Sequence, residues 1–304
     1  MKNIKTEIIN TTKQIGDLVD WLILRHASRD LYEPTMYIDL EGVDLCREGS
    51  LSILTLLIDT GIPTTRVYLI DVHSLGPQAF NTTGIKSKTL KDILQDEKIP
   101  KVFFDVRNDS DALFAHFGVA LQGVEDIQLM ESATRTTTSS RKYLNGLAKC
   151  IEKCVPYNSD LTSWKLAKEK GERMFKAEHG GSGEIFNQRP IPDEIFSYCV
   201  GDVQHLPTLW DKLHWNTDRW RDLVKEETKK RVAASQKPEY LPHGPNRTLA
   251  PWNADQNRRL DEWNYVPPPR DYFDDDYFNE DCFDDNWDNE GPDDYEDWTG
   301  GDSD

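Results

Sequence analysis

The stretch "MYIDLEGVDL", residues 36–45, decides how the chain is read. Met36, Ile38 and Leu40 alternate with Tyr37, Asp39 and Glu41. In a β-strand that alternation sends the two sets to opposite faces, so Asp39 and Glu41 share one face. Carboxylates one pleat apart repel each other, and any burial of that face adds a desolvation cost. A chain that keeps them there needs a compensating positive charge.

Working outward, the apolar residues Ile15, Leu18, Val19, Leu22 and Ile23 form one stripe, which predicts a helix over Gln14–Leu31, ended by Pro34. After the opening strand, "LSILTLLI" and "RVYLIDV" read as two more strands. The short link "DTGIPTT" makes these first three strands antiparallel. A helix near "LKDILQDE", the strand "KVFF" and a helix after "RNDSD" then begin a strand–helix–strand alternation. The fold class is therefore α/β, a mixed sheet of three antiparallel strands plus parallel strands, flanked by helices. From "QLMESATR" onward the pattern is helical, through "RKYLNGLAKCIEKC", "DLTSWKLAKEKGERMF" and "DEIFSYCVGDVQHLPTLWDKLHW", with a flexible glycine loop expected at "EHGGSGE".

Charge separates the chain into two parts. Residues 271–304 hold 16 of the 54 acids and none of the 36 bases. The remainder carries 38 acids against 36 bases, a net charge near −2. Residues 1–235 are expected to form one folded domain. Residues 236–304, Pro-containing and then acidic with isolated aromatics, are expected to be a disordered linker and tail, because such a segment buries too little apolar surface to offset its ordering entropy. The tail reads as a solubilising segment, as a docking segment for a protein partner, or as a nucleic-acid mimic.

The five cysteines (Cys46, Cys150, Cys154, Cys199, Cys282) form no CxxC pair, which suggests reduced thiols in an intracellular protein. Cys150 and Cys154 sit one turn apart on an expected helix and are read as buried helix cysteines. The N-terminus lacks the apolar core of a signal peptide, and nothing approaches the ~20 apolar residues of a membrane span. A soluble nuclear or cytoplasmic location is the expectation.

Further acids recur at the ends of core elements. Asp109 follows "KVFF" in the loop that opens a helix, where it could also serve as the N-cap. Asp105 and Asp111 are its rivals in the same loop. Asp202 lies in "YCVGD" with Tyr198 one turn before it on the same helix face. Acidic side chains gathered at a sheet edge suit a hard cation such as Mg²⁺ or Mn²⁺, whose charge removes their repulsion.

"YIDLEG", "KVFFDVRNDSDAL" and "RPIPDEIFSYCVGDVQHLPTL" resemble the three motifs of the DEDD superfamily of 3′–5′ exonucleases, in its RNase D-like branch. The Asp-x-Glu falls on Asp39 and Glu41, the second-motif Asp on Asp109, and Tyr-x-x-x-Asp on Tyr198 and Asp202. Arg189-Pro190 matches the pair that precedes the third motif. The match spans about residues 33–215, and Tyr198, with Ser197 rather than His before it, resembles the tyrosine-type members. Gly42 stands where bacterial RNase D-like enzymes commonly carry an aromatic, which is closer to a eukaryotic subgroup with Egalitarian-like exonuclease domains.

The resemblance implies an RNase H-like fold and two-metal hydrolysis of single-stranded RNA or DNA 3′ ends, with release of nucleoside 5′-monophosphates. Two Mg²⁺ or Mn²⁺ ions about 3.5–4 Å apart would straddle the phosphate. By the same resemblance Asp39 bridges both ions, Asp202 helps hold the water-activating ion, Asp109 supports the second, and Glu41 and Tyr198 orient the water. Arg141, Lys142, Lys165, Lys168 and Arg189 are the basic residues expected to meet phosphates. Some relatives in that subgroup have lost motif residues and act as RNA-binding adaptors, so a non-catalytic nucleic-acid-binding protein on the same fold is the alternative.

Overall fold

A computed structural model describes residues 3–27, 34–59, 64–156, 159–214 and 219–267 of the 304-residue chain. The acidic segment from 271 onward lies outside the described residues. The chain runs β1 (Asn3–Ile9), α1 (Thr12–Ala27), β2 (Met36–Glu41), β3 (Ile53–Ile58) and β4 (Thr64–Asp71). Three short helices follow: α2 (Val72–Leu75), α3 (Gln78–Asn81) and α4 (Leu90–Leu94). Next come β5 (Lys101–Phe103), α5 (Arg107–Phe117), β6 (Val124–Asp126) and α6 (Ile127–Ala133). Helices α7 (Thr138–Arg141), α8 (Leu147–Cys154), α9 (Ser159–Phe175), α10 (Asp193–Gln204), α11 (Leu206–His214), α12 (Arg221–Ser235) and α13 (Ala254–Trp263) complete it.

The six strands form one sheet in the order β1-β4-β3-β2-β5-β6. β2, β3 and β4 are antiparallel, as their short links require, while β1 joins β4 and β5 joins β2 in parallel. The mixed α/β architecture expected from the sequence is therefore present, with two strands added at its edges. β1 was not expected: "NIKTEII" has few buried side chains, and only its pairing with β4 makes it a strand. β6 is three residues long, too short for a period to show.

Every residue of β3 is buried, as a central strand covered on both faces demands. Met36, Ile38 and Leu40 join one core with α1, α4 and α5 residues such as Leu22, Ile93 and Leu113. Tyr37 joins the opposite core with Trp164 of α9 and Ile195, Tyr198 and Cys199 of α10. The Asp39–Glu41 side of β2 thus looks toward α9 and α10. β2 pairs with β3 on one side and β5 on the other, so it is an interior strand rather than a sheet edge.

The helix expected over Gln14–Leu31 is described as Thr12–Ala27, and residues 28–33 lie outside the described part. Residues 236–265, expected to belong to a disordered linker, pack on the domain. Arg47 donates to the carbonyls of Ser235, Lys237 and Pro238, and Arg247 and the Tyr240 hydroxyl donate to Asn108 Oδ1. In α13 Leu260 is fully buried, and Asp261 pairs with the buried Arg141. Composition misled here because the anchors are a few polar contacts and isolated apolar side chains such as Trp252 and Leu260, spread over a Pro-rich segment rather than set in one stripe. The "EHGGSGE" segment likewise forms two short 3₁₀ turns, Ala177–His179 and Gly183–Asn187.

Beneath the start of α5 lies a buried charge network. Asp126 accepts hydrogen bonds from the amides of Asp105, Val106 and Gln128, and Arg231 of α12 donates to it at 2.8 Å. Removing one partner of such a pair leaves an unpaired buried charge. Arg231→Ala is expected to lower unfolding stability by about 3–5 kcal/mol in denaturant titration, whereas Lys229→Ala, whose pair with Glu97 is exposed, should leave it nearly unchanged.

Candidate active site

Three acids reach one place from two elements, and a fourth, Asp109, lies near them on a third. Asp39 and Glu41 alternate along β2 opposite Thr55 and Ile53 of β3. Asp202 is presented by α10, which packs on β2 and β3. Ligand oxygens of Asp39, Glu41 and Asp202 lie within 4.8 Å of one another. Asp109 is buried on α5; its carboxylate helps raise Glu41, and Asp39 helps raise it in turn.

Asp109 is inside α5, whose first turn begins at Arg107, not in the loop before it. It therefore does not cap the helix. Its two rivals are committed elsewhere: Asp105 takes both guanidinium nitrogens of Arg107 at 2.5 and 2.6 Å, and Asp111 accepts from the Arg47 amide and side chain at 2.8 and 2.7 Å. Asp109 makes no hydrogen bond or ion pair with another described residue, which leaves its carboxylate for the cluster.

The electrostatics are those of negative charge without enough positive charge. Burial, then the neighbouring Asp202 carboxylate, pushes Asp39 up to about 8. Burial and the adjacent acids hold Glu41 and Asp109 well above the ordinary carboxylate range. Burial also raises Asp202, although Lys168 and the Tyr198 hydroxyl pull it part of the way back. Asp39 Oδ2 is buried with no hydrogen-bond partner among the described residues. An orphaned, all-oxygen, over-acidic cavity fits a hard divalent cation.

Tyr198 lies one turn before Asp202 and helps pull its carboxyl down. It is reached closely by α9: a Cβ at Gly171 would stand 2.5 Å from Tyr198 Cβ, so only glycine permits this helix contact. That contact brings Lys168 over the Tyr198 ring at 4.6 Å and its ammonium to Asp202 Oδ1 at 2.6 Å. Burial works against the Lys168 charge, but Asp202, Asp39 and Glu41 outweigh it and hold the ammonium above the ordinary lysine value. Sequence reasoning placed Lys168 among phosphate contacts. Its pairing with Asp202 depends on how α9 crosses α10, which no local pattern shows.

The other basic candidates divide. Arg141 is fully buried and bound to Asp261 and Asn257, and Arg189 grips the buried Asp71 at 2.6 and 2.7 Å. Both arginines brace the fold and are not offered to a phosphate. Lys142 is exposed over the Tyr143 ring, and Lys165 forms an exposed pair with Glu152. Gly42 also has a structural reason: a Cβ there would lie 1.9 Å from the Ser50 carbonyl oxygen, so a bulky aromatic is excluded by the returning chain.

This fold and acid constellation define a 3′–5′ exonuclease domain of the RNase D type. The chain belongs to the 3′–5′ exonuclease family, whose sequence profile matches residues 20–217. It is 34% identical over 169 residues to the piRNA biogenesis protein EXD1 of Mus musculus and 36% identical over 169 residues to that of Homo sapiens. Each match takes in 56% of this chain but only 27% and 30% of those proteins' length. Among solved structures, Trypanosoma brucei RNase D in complex with RNA U12 matches at a TM-score of 0.62 and 22% identity, covering 85% of this chain and 79% of that one. Escherichia coli RNase D matches at 0.52 and 17% identity, over 77% and 51% of the two chains. These structural likenesses bear on the fold. No helix among the described residues is long and apolar enough to cross a membrane.

Two outcomes follow from the charge balance. A carboxyl raised in the folded state keeps its proton where the unfolded chain has lost it, so the cation-free protein loses stability as pH climbs from the ordinary carboxylate range toward about 8. Asp39→Asn is expected to flatten that slope and to stabilise the cation-free protein at pH 8 by on the order of 1–3 kcal/mol, measured by denaturant unfolding at pH 5 and pH 8. Lys168→Met, which removes the resident positive charge, is expected to tighten Mg²⁺ or Mn²⁺ binding about tenfold by calorimetry.

Proposed function

We propose that the chain is a divalent-cation-dependent 3′–5′ exonuclease that hydrolyses the terminal phosphodiester of single-stranded RNA or DNA and releases nucleoside 5′-monophosphates. The observation that carries this reading is the convergence of Asp39, Glu41 and Asp202 within 4.8 Å, with Asp39 Oδ2 buried and without a partner among the described residues and Asp109 buried near enough to raise Glu41. Two Mg²⁺ or Mn²⁺ ions bound there supply the field that acidifies a water and offsets charge on the departing 3′ oxygen.

The residues themselves have separable tasks. Asp39 would serve both ions, Asp202 would help hold the water-activating one, and Asp109 would support the other. Tyr198 donates its hydroxyl hydrogen to Asp202, which leaves its oxygen free to accept from a water. Glu41 fixes that water from the β2 side. The water oxygen bonds to phosphorus, the bond from phosphorus to the 3′ oxygen breaks, and the 3′ oxygen leaves with a proton. Lys142 and Lys165 are the exposed basic groups that support backbone contact. RNA is placed before DNA because the curated relatives are piRNA biogenesis proteins.

One observation favours a non-catalytic nucleic-acid-binding adaptor instead. The Lys168 ammonium already neutralises Asp202 in this arrangement. A single assay separates the readings: degradation of 3′-labelled RNA and DNA oligonucleotides with Mg²⁺, with Mn²⁺ and with chelator. The exonuclease reading expects cation-dependent shortening from the 3′ end and a loss on the order of 10³-fold or more in Asp39→Asn. Binding without turnover under every condition would establish the adaptor.

A further inference from the structure

A second cluster of ligand chemistry stands beside the loop that follows β2. Asp44, Cys46 and His243 each offer one ligand atom, and those atoms lie within 4.8 Å of one another. Asp44 and Cys46 come from the turn after Glu41, and His243 from the segment between α12 and α13. The donors are an oxygen, a sulfur and a nitrogen, unlike the all-oxygen cluster of the candidate active site. Thiolate with imidazole selects zinc-class cations, whereas Mg²⁺ avoids both.

Three features make this more than a surface ion pair. Cys46 is a free cysteine, completely buried, and its sulfur has no hydrogen-bond partner among the described residues. Asp44 and His243 are exposed and already face each other, with Nε2 to Oδ1 at 3.0 Å. Both backbones are fixed by contacts that do not use the three side chains. The Cys46 carbonyl is bound by the His116 ring at 2.9 Å, and the Ser50 amide donates to the Val43 carbonyl at 2.9 Å. On the other side, Arg47 holds the carbonyls of Lys237 and Pro238, and Arg247 binds Asn108.

We propose that Asp44, Cys46 and His243 form a zinc-class site with an open fourth position for water, which clasps the 236–250 segment onto the β2–β3 loop. Bonds of about 2.0–2.3 Å require only a small inward movement of the exposed Asp44 and His243 side chains onto the fixed sulfur. Asp44 holds its place through a left-handed backbone, φ 45°, which aspartate tolerates better than most residues. The site is distinct from the Asp39 cluster, and it stands whether or not that cluster hydrolyses anything.

The test titrates the full chain with Co²⁺, with excess Mg²⁺ present to fill the oxygen cluster, and reads the near-ultraviolet thiolate-to-cobalt charge-transfer absorption. One equivalent should generate the band, equimolar Zn²⁺ should erase it, and Cys46→Ser should lack it. His243→Ala, a surface change that leaves the buried Cys46 in place, should weaken cobalt binding by about tenfold or more. Absence of the band in the parent, its persistence in Cys46→Ser, or unchanged affinity in His243→Ala would each overturn the proposal.

Discussion

Mutual repulsion among buried carboxylates is the constraint on which the rest of this structure turns. Asp39, Glu41 and Asp202 crowd within 4.8 Å, Asp109 lies near enough to raise Glu41, and Lys168 pairs with Asp202. Such a cluster is costly on its own, because low-dielectric surroundings amplify like-charge repulsion and remove hydration at the same time. A fold that keeps it must hold each acid from outside the cluster. It also gains a strong preference for any cation that enters.

The scaffold supplies that restraint in three ways. β2 is held along its length by β3, which pairs with Asp39 and Glu41, and at its start by β5, which pairs with Met36 and Tyr37. α10 carries Tyr198 and Asp202 on one face and is pressed against the sheet by α9, where Gly171 lets the helices approach and the Trp164 indole donates to the Gly201 carbonyl at 3.0 Å. The start of α5, with Asp109 in its first turn, is locked from below through Asp126 and Arg231 and from the side through Asn108. Residues of α12 and of the 236–250 segment therefore reach into the support of the site, beyond residue 217 where the family match ends.

Much of this was legible in the sequence. The alternation in residues 36–41, the Asp109 position and the Tyr198–Asp202 spacing are local patterns with fixed periods, and together they mark the elements that bear the cluster. The charges that answer them were harder to read. Lys168 meets Asp202 only because two helices cross at a glycine, and Arg141 and Arg189 look like surface bases until their partners Asp261 and Asp71 fold onto them. The 236–265 segment failed for a related reason: its anchors, polar contacts plus the isolated apolar side chains of Trp252 and Leu260, are too sparse to stand out in overall composition. β1 escaped because an edge strand with few buried residues shows little alternation.

The central claim is that the four-acid cluster is a cation site whose repulsion is relieved by divalent ions displacing Lys168. Its most direct test is a crystal structure of the protein soaked in Mn²⁺, with anomalous difference density collected. The account predicts two manganese peaks bounded by Asp39, Glu41, Asp109 and Asp202, with the Lys168 ammonium withdrawn from Asp202. Featureless density in the cluster, with the 2.6 Å Lys168–Asp202 pair intact, would contradict it.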